Sequence, residues 1–329
     1  MNILKKLKTR FYVPSKEDKF LKRVFLTATS RKVPHFPKTV QFETHSFCNA
    51  RCIFCPYHLY YETQPKGFMT DEQFKKIVDE LKRHNVRRIS PYMNNEPFLD
   101  KKIIEKLLYI KQEIKDPKVV LTTNGSMLDR NCVDDLIKYN PLHALYISFQ
   151  GVEKESYEET MRGGLKFEIT MENVLYLISK LKESKAKKPF KVIITMVATS
   201  KVDPIKAVQF WREKGIKAKC TPLENRGGNI EEFQSLLPPN AKSKRFVNCT
   251  RLFKQGYILF NGDMVLCCTD YSRKVVLGNV FETSIEEVWN NEKSYEIRRL
   301  FYEGKLDEIP LCRTCEIADS YGDEEYYYD

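Results

Sequence analysis

Along residues 39–224, segments with the hydrophobic pattern of a strand take turns with segments that have the pattern of a helix. Short apolar runs of strand length are separated by longer segments in which apolar residues recur at helical spacing. The predicted strands are residues 39–43, 88–92, 119–123, 145–149, 192–197 and 216–221. The predicted helices are a segment that starts after Thr70 and residues 101–114, 129–139, 170–181 and 204–214. Six strands in series with intervening helices predict a parallel sheet with crossover helices.

A parallel sheet of this kind can curl into a full or partial barrel, whose ligand site lies at the C-terminal ends of the strands. The first crossover helix carries a capping box, because Thr70 is followed three positions later by Gln73. Its apolar face is the set Phe74, Ile77, Val78 and Leu81. These features strengthen the prediction of alternating strands and helices.

Residues 249–315 follow a different pattern. Asn261-Gly262 is a strong hairpin signal, and it lies between two apolar runs, residues 256–260 and 264–267. Ser284 with Glu287 then marks the start of a short helix. The expected fold class is therefore α/β, a partial (β/α)6 parallel barrel followed by a small C-terminal α+β domain.

Composition and charge narrow the class of protein and its expected partners. The chain has 329 residues, 42% of them hydrophobic, and a net charge of +11. Residues 1–32 hold ten Lys and Arg against two acidic residues, so most of the excess charge is local and nucleic acid is not an expected partner. Phe20, Leu21, Val24 and Phe25 at helical spacing permit contact with an anionic membrane surface, or a solvated basic helix packed on its own domain.

The sequence shows neither an apolar run of about 18 residues nor a signal peptide, so a cytoplasmic protein is expected. Ten cysteines in such a chain point to metal or redox sites, since cellular reductants keep thiols reduced. Three of them, Cys48, Cys52 and Cys55, follow the first predicted strand. Zinc would need a fourth ligand such as His45 or His58. An iron-sulfur cube held by three thiolates keeps one iron open.

The spacing C-x3-C-x-aromatic-C after the first strand of a βα barrel resembles the radical S-adenosylmethionine (SAM) superfamily. The resemblance implies that SAM chelates the open iron of a 4Fe-4S cluster and is cleaved by an electron from an external donor such as flavodoxin or ferredoxin. It also implies that the resulting 5′-deoxyadenosyl radical abstracts hydrogen from a substrate carbon.

The same resemblance implies a SAM pocket. Where the family commonly has Gly-Gly-Glu-Pro after the second strand, this chain has Asn94, Asn95, Glu96 and Pro97. Glu96 is then the expected acceptor for the SAM ammonium group, with the Asn95 backbone beside it. The asparagines restrict how closely that backbone approaches SAM, because glycine allows the closest approach.

Five further residues complete the implied pocket. Phe54 is the aromatic position of the cysteine motif, and the Tyr57 backbone faces the adenine. Asn124 and Ser148 hold the ribose or methionine part, and Arg162 pairs with the SAM carboxylate. The alternatives are a turn at Asn124, a bond from Ser148 to a neighbouring strand, and a surface charge at Arg162.

A second group of cysteines lies in the C-terminal region. Cys249, Cys267, Cys312 and Cys315 supply four thiolates, enough for zinc or for a fully ligated cube. The region resembles the SPASM/twitch extension of radical SAM enzymes, in its short form with one auxiliary cluster, as in aminocyclitol and aminoglycoside dehydrogenases and epimerases. The resemblance implies two 4Fe-4S clusters in all. The expected domains are a basic extension (1–38), the barrel (39–235), this module (236–318) and an acidic, tyrosine-rich tail (319–329).

Three cysteines remain. Because adjacent strand residues face opposite sides, Cys268 is expected to point away from the auxiliary cluster if Cys267 points toward it. Cys268 could then face the barrel mouth and return hydrogen to a substrate radical, or it could be a buried hydrophobe or an alternative ligand. Cys220 is a second candidate donor, and Cys132 is expected to be a core residue.

Two substrate classes compete. A sugar or aminocyclitol substrate, changed by epimerisation or dehydrogenation, is favoured by the short module. A ribosomal peptide substrate is the alternative, since many enzymes with this module modify peptides and the basic N-terminal segment could hold an acidic leader.

Overall fold

The computed structural model describes residues 33–86, 88–247 and 249–319. The predicted basic helix near residue 20 and nearly all of the acidic tail lie outside these ranges. In the described part, no helix is long and apolar enough to cross a membrane.

Strands and helices alternate through the first two thirds of the described chain. The strands are β1 Thr39–Phe42, β2 Arg88–Ser90, β3 Lys118–Thr123, β4 Ala144–Ser148, β5 Lys191–Val197, β6 Lys217–Thr221, β7 Ser243–Arg245, β8 Gln255–Ile258, β9 Asp263–Val265, β10 Val276–Asn279 and β11 Glu316–Ala318. The α-helices are α1 Tyr57–Tyr60, α2 Asp71–Arg83, α3 Ile103–Glu113, α4 Arg130–Tyr139, α5 Lys154–Met161, α6 Phe167–Glu183, α7 Pro204–Glu213, α8 Arg251–Lys254, α9 Ile285–Asn290 and α10 Glu292–Tyr302.

Strands β1 to β6 pair in parallel in sequence order, which confirms the predicted partial barrel. The sheet continues beyond β1, because β8 pairs with β1 in parallel and then carries β9 and β10 antiparallel. The nine-stranded order is β10-β9-β8-β1-β2-β3-β4-β5-β6, while β7 and β11 form a separate antiparallel pair. The barrel is therefore open, with β6 at one edge of the sheet and the C-terminal hairpin at the other.

The predicted elements agree with the structure to within a few residues. The capping boxes of α2 and α9 are both present. Strand β2 ends at Ser90, two residues earlier than predicted, because Pro91 has no backbone N–H for the ladder. The pattern missed α5, a mostly polar helix that buries Tyr157, Thr160 and Met161.

The C-terminal module is fixed to the barrel by polar contacts as well as by the β1–β8 ladder. The two carboxylate oxygens of Glu80 accept the backbone N–H groups of Ile285 and Glu286 at 3.0 and 2.9 Å, which caps the start of α9. The Trp289 indole N–H donates to the Pro34 carbonyl at 2.8 Å. These bonds use buried or partly buried groups, so the two cysteine sets are held in a defined relation.

Candidate active site

The loop that carries Cys48, Cys52 and Cys55 lies at the C-terminal end of β1 and is clamped by the end of α5. The N–H of Arg51 donates to the Met161 carbonyl at 3.2 Å, and that of Ile53 donates to the Thr160 carbonyl at 3.0 Å. Gly163 passes so close that a Cβ there would lie 2.7 Å from the Asn49 carbonyl oxygen. The loop is therefore shaped by a segment more than 100 residues away in sequence.

Tyr57 and Phe54 support this loop from inside the protein. The Tyr57 hydroxyl donates to the Ser46 carbonyl at 2.8 Å and accepts the Cys48 N–H at 2.9 Å. Phe54 is buried in the main core. In the structure both side chains order the loop, and the Tyr57 hydroxyl does so by holding the first cysteine directly.

The three thiols of the loop lie near one another. Burial raises the pKa of Cys52 most, and the neighbouring Cys55 and Cys48 raise it further. Among the described residues, no three Cys, His, Asp or Glu side chains converge closely enough to hold a single metal ion. Three neighbouring thiols can each bind a different iron of a cube, which leaves the fourth iron open.

Glu96 joins the loop after β2 to the end of β3. Its carboxylate accepts the Thr123 hydroxyl at 2.6 Å and the Asn124 N–H at 2.7 Å. It also accepts the Phe98 N–H at 3.3 Å, and the Glu96 N–H donates to the Phe47 carbonyl at 2.9 Å. Burial raises the pKa of Glu96 to about 7. Since Glu96 also raises the pKa of Cys48, this carboxylate lies beside the cysteine loop.

The other polar residues of the implied SAM pocket make contacts within the protein. The Asn124 amide donates to Asn49 Oδ1 at 2.8 Å, and Asn124 Oδ1 accepts both the N–H and the hydroxyl of Ser126. The Asn95 side chain accepts the Met93 N–H and lies 3.3 Å from His45 Nε2. Ser148 Oγ accepts the Gln150 amide at 3.4 Å.

Within the described residues, Arg162 hydrogen-bonds to α5 and not to this network. It caps α5 with a left-handed backbone, φ 49°, and its Nε donates to the Glu159 carbonyl at 3.0 Å. Its side chain is exposed, and its charge helps to lower the pKa of His58, after burial and together with Arg51. In this position Arg162 contributes positive charge to the rim of the loop.

The four cysteines of the second set are also neighbours. Burial raises the pKa of Cys312 most, and Cys267, Cys249 and Cys315 raise it further. The Arg251 guanidinium lies beside this set, with Nη1 at 3.9 Å from Cys267 Sγ. Four thiols from the β7–α8 link, the end of β9 and the C-terminal turn are therefore neighbours, although among the described residues no three of them converge as the ligands of a single ion do.

Cys267 and Cys268 do not alternate across a strand. Strand β9 ends at Val265, and the Asp270 N–H donates to the Cys267 carbonyl at 3.0 Å, so both cysteines lie in the following turn. Their thiols interact directly: a hydrogen bond with Cys268 lowers the pKa of Cys267, and the same bond raises that of Cys268. Strand alternation, the reason given for expecting Cys268 to point away from the auxiliary cluster, therefore does not apply to these two cysteines. The orientation of Cys268 relative to that cluster stays a prediction.

Cys268 nevertheless lies near the barrel mouth. Its charge affects Tyr92, which follows β2, and Arg226, which follows β6. Cys220 lies on β6 with its side chain in the core, and burial raises its pKa to about 12. Cys132, partly buried on α4, packs against the main core as expected.

Two residues that the sequence analysis missed lie between the cysteine sets. Tyr271 follows the Cys267–Cys268 turn, and its hydroxyl is 3.4 Å from Cys55 Sγ. Arg226 has both Tyr271 and Cys55 as electrostatic neighbours. Spacing gives no signal for Tyr271, whereas the "NRGG" stretch around Arg226 indicates a loop with left-handed backbone.

An open pocket with a cavity volume of about 50 Å³ lies beside the cysteine loop. Tyr57 and Tyr271, which bond to Cys48 and Cys55 respectively, form part of its wall. Aromatic side chains and charged groups of both signs line it, as follows: Glu43, Ser46, Tyr57, Tyr60, Tyr61, Gln64, Pro65, Lys66, Asn94, Leu259, Asp270, Tyr271 and Arg273.

A three-cysteine loop at the mouth of an open βα barrel, with four more cysteines in a module on the same sheet, defines an iron-sulfur enzyme class. The model of the radical SAM superfamily matches residues 42–219, and the chain belongs to that superfamily. The model of the SPASM iron-sulfur cluster-binding domain matches residues 249–316. SAM and iron-sulfur cofactors follow from these two matches.

Individual relatives are distant. The chain is 23% identical to the S-adenosyl-L-methionine-dependent 2-deoxy-scyllo-inosamine dehydrogenase of Niallia circulans, over 88% of this chain and 96% of that protein. The crystal structure of BtrN in complex with AdoMet and 2-DOIA is similar with a TM-score of 0.58 and 19% identity, over 88% of this chain and 97% of that one.

The crystal structure of Streptococcus suis SuiB bound to precursor peptide SuiA is similar with a TM-score of 0.64 and 16% identity. That match covers 90% of this chain and 76% of SuiB. At these identities the structural likeness shows the fold alone.

Proposed function

We propose that this radical SAM enzyme abstracts hydrogen from a carbon of a sugar or aminocyclitol-type small molecule and completes its epimerisation or dehydrogenation. The observation that carries the proposal is the end-to-end match to an aminocyclitol dehydrogenase, which covers 96% of that protein. The open pocket beside the cysteine loop has aromatic and charged side chains of both signs in its wall, which supports a polar substrate.

In the proposed holoenzyme, Cys48, Cys52 and Cys55 hold one 4Fe-4S cluster, while Cys249, Cys267, Cys312 and Cys315 hold a second. SAM on the first cluster supplies the group that removes hydrogen from the substrate. Glu96 and Asn95 hold its methionine end, Asn124 and Ser148 its ribose, and Phe54 and the Tyr57 backbone border its adenine. Arg162 acts at its carboxylate. The protein contributes position and exclusion of solvent.

The fate of the substrate radical separates the two reactions. In dehydrogenation the substrate radical would lose one proton and one electron to give a ketone, and a cluster held by Cys249, Cys267, Cys312 and Cys315 would supply the electron acceptor. In epimerisation the radical would take a hydrogen atom from the Cys268 thiol on the opposite face. The sulfur radical left on Cys268 would then need one electron and one proton, and an external donor such as flavodoxin or ferredoxin would supply the electron.

Anaerobic turnover in deuterated water tests the proposal. We expect an epimerase to incorporate one non-exchangeable deuterium into the product, because the Cys268 thiol exchanges with solvent. Cys268→Ala should still form 5′-deoxyadenosine but no epimer. A product two mass units lighter, formed equally well by Cys268→Ala, would assign dehydrogenation. Absence of 5′-deoxyadenosine formation with every glycoside and aminocyclitol offered would contradict the substrate class.

A ribosomal peptide substrate is the second candidate function. It is favoured by the likeness to SuiB bound to its precursor peptide, which has the higher TM-score of the two structures compared. The same assay with precursor peptides distinguishes the candidates, because peptide modification would change peptide mass while glycosides remain unchanged.

A further inference from the structure

We propose that Arg226 is an anion-binding residue that holds a carboxylate or phosphate group of the substrate between the two cysteine sets. The inference rests on the proposed function, since it concerns the small molecule that this enzyme changes. It narrows that molecule to one with an anionic group, in contrast to an aminocyclitol that carries only amino and hydroxyl groups.

The position of Arg226 is the first observation. Its electrostatic neighbours are Glu224, Tyr271, Cys268 and Cys55. Tyr271 and Cys55 are themselves in contact at 3.4 Å. Arg226 thus has as neighbours a cysteine of the proposed SAM cluster and the thiol proposed to return hydrogen. A substrate carbon that gives hydrogen to the adenosyl radical and takes it back from Cys268 must lie close to both of these groups.

The charge balance of this region is the second observation. Glu224 is shared by two arginines, and Arg251 occupies both of its carboxylate oxygens at 2.9 and 2.5 Å. Arg226 lies farther away, with its Nη1 at 3.8 Å from Glu224. Burial disfavours the Glu224 carboxylate, but Arg251 and Arg226 nonetheless lower its pKa. Arg251 thus occupies both oxygens of Glu224, and the contact of this carboxylate with Arg226 is the longer one.

The hydrogen bonding of Arg226 also favours an anionic ligand. Its Nε is buried, and within the residues that the structure describes it has no hydrogen-bond partner. A buried donor without a partner costs about 1–3 kcal/mol. A carboxylate or phosphate satisfies a guanidinium better than a neutral group does, because it accepts two parallel N–H bonds and compensates the charge.

The backbone holds Arg226 in place before any ligand arrives. Its φ of 53° is in the left-handed region, which is unfavourable for a residue with a side chain. The Asn229 amide donates to the Arg226 carbonyl at 2.6 Å, and the Asn225 amide donates to the Thr314 carbonyl at 2.7 Å. These bonds tie the loop to the turn that carries Cys312 and Cys315, so the guanidinium is presented from a rigid support.

The substrate is a better occupant than SAM. The polar groups of the proposed SAM pocket lie near Cys48, and Glu96 is close enough to add to the rise that burial causes in the pKa of that thiol. The Arg226 guanidinium lies near Cys55 and Cys268, on the side of the C-terminal module. An anion bound there belongs to the molecule that also meets Cys268.

The test measures binding of simple probes to the holoenzyme with saturating SAM. Calorimetry or ligand-observed NMR compares D-glucuronate and D-glucose 6-phosphate with D-glucose. We expect Arg226→Gln to weaken binding of both anionic probes by about tenfold or more, since a charge-assisted bond contributes about 1.5–3 kcal/mol. Arg226→Lys should retain part of the affinity. Arg299→Gln, which removes a surface guanidinium, should change nothing.

Iron content and SAM affinity of Arg226→Gln are measured in parallel. If the anionic probes bind no better than glucose to the wild type, or if the variant loses SAM affinity instead, the proposal is overturned. Should the variant lose its clusters, phenylglyoxal labelling of the wild type replaces it. Glucose 6-phosphate must then protect Arg226 from labelling where glucose does not, and equal labelling overturns the proposal.

The outcomes separate this inference from the proposed function. Anionic probes that depend on Arg226, combined with no sugar substrate that stimulates SAM cleavage, would contradict the sugar assignment and leave the anion site standing. Turnover of an uncharged aminocyclitol at full rate by Arg226→Gln would contradict the anion site and leave the sugar assignment standing.

Discussion

Tyr271 of the C-terminal module lies with its hydroxyl 3.4 Å from Sγ of Cys55 in the barrel loop. The two residues are 216 positions apart in sequence, and both are partly buried. The module therefore reaches the cysteines proposed to hold the SAM cluster, in addition to supplying four cysteines of its own. A hydrogen bond to a cluster sulfur stabilises the reduced, more negative state and so raises the reduction potential.

We therefore expect Tyr271→Phe to lower the midpoint potential of the first cluster without loss of iron. A redox titration followed by electron paramagnetic resonance measures this shift. Tyr295→Phe, a change at an exposed tyrosine of α10, should leave the potential as in the wild type. Equal potentials in Tyr271→Phe and the wild type would mean that the contact carries no electronic effect.

The assignment of the two cysteine sets is tested by iron content. Anaerobically reconstituted protein should contain about eight irons per chain, because each cube contains four. Replacement of Cys48, Cys52 and Cys55 by Ala should remove about half of the iron and all SAM cleavage. The control is Cys132→Ala, which should retain both. Stoichiometric zinc in the native protein would contradict the assignment.

The sequence predicted the barrel well and indicated two sets of cysteines, because these signals are local. Strand and helix periods are repeated in every βα unit, and the cysteines of the first set lie within eight positions. Contacts between distant segments could not be predicted. The β1–β8 pair, the clamp from Met161 on the cysteine loop and the approach of Tyr271 to Cys55 depend on tertiary packing. The predicted strand extended to Cys267, whereas β9 ends at Val265 and a turn follows it.

SAM binding tests the proposed roles of Glu96 and Arg162. Glu96→Gln should weaken SAM binding, and it should also destabilise the protein by about 1–3 kcal/mol, because one backbone N–H of Asn124 or Phe98 loses its acceptor. Arg162→Ala should weaken SAM binding alone, since its side chain is exposed. Equilibrium dialysis and thermal unfolding separate the two effects. Unchanged SAM affinity in both variants would remove these residues from the proposed pocket.

Glu43 should make stability depend on pH. Burial raises its pKa from 4.5 to about 7, although the Phe260 N–H and Arg273 favour the charged form. The folded state thus binds the proton more tightly than the unfolded state. The stability that protonated Glu43 contributes is fully present below about pH 4.5 and is lost as the pH rises to about 7. This loss lowers the free energy of unfolding by on the order of 3 kcal/mol.

Glu43→Gln removes this titration and keeps an oxygen for the Phe260 N–H. The variant should unfold at a higher temperature than the wild type at pH 8 and at nearly the same temperature at pH 5. Glu282→Gln, at an exposed position, is the control and should show no such difference. An advantage of Glu43→Gln that is equal at both pH values would contradict titration of this carboxyl.

Two adjacent glycines give a matched test of how α5 holds the cysteine loop. Gly163 and Gly164 both have positive φ, 75° and 87°, so alanine at either position is strained by about 1–2 kcal/mol. Only Gly163 also contacts the loop: a Cβ there would lie 2.7 Å from the Asn49 carbonyl oxygen and 2.8 Å from the Arg51 nitrogen, whereas a Cβ at Gly164 meets nothing within 4 Å.

Because the atoms that Gly163 would strike belong to backbone, they cannot move aside as a side chain would. We expect Gly163→Ala to displace the cysteine loop, to lower iron content toward half and to abolish SAM cleavage. Gly164→Ala should lower the unfolding temperature slightly and retain both clusters. Iron analysis and the absorbance of the reconstituted variants measure the difference. Equal iron content in the two variants would show that the close approach of Gly163 does not shape the loop.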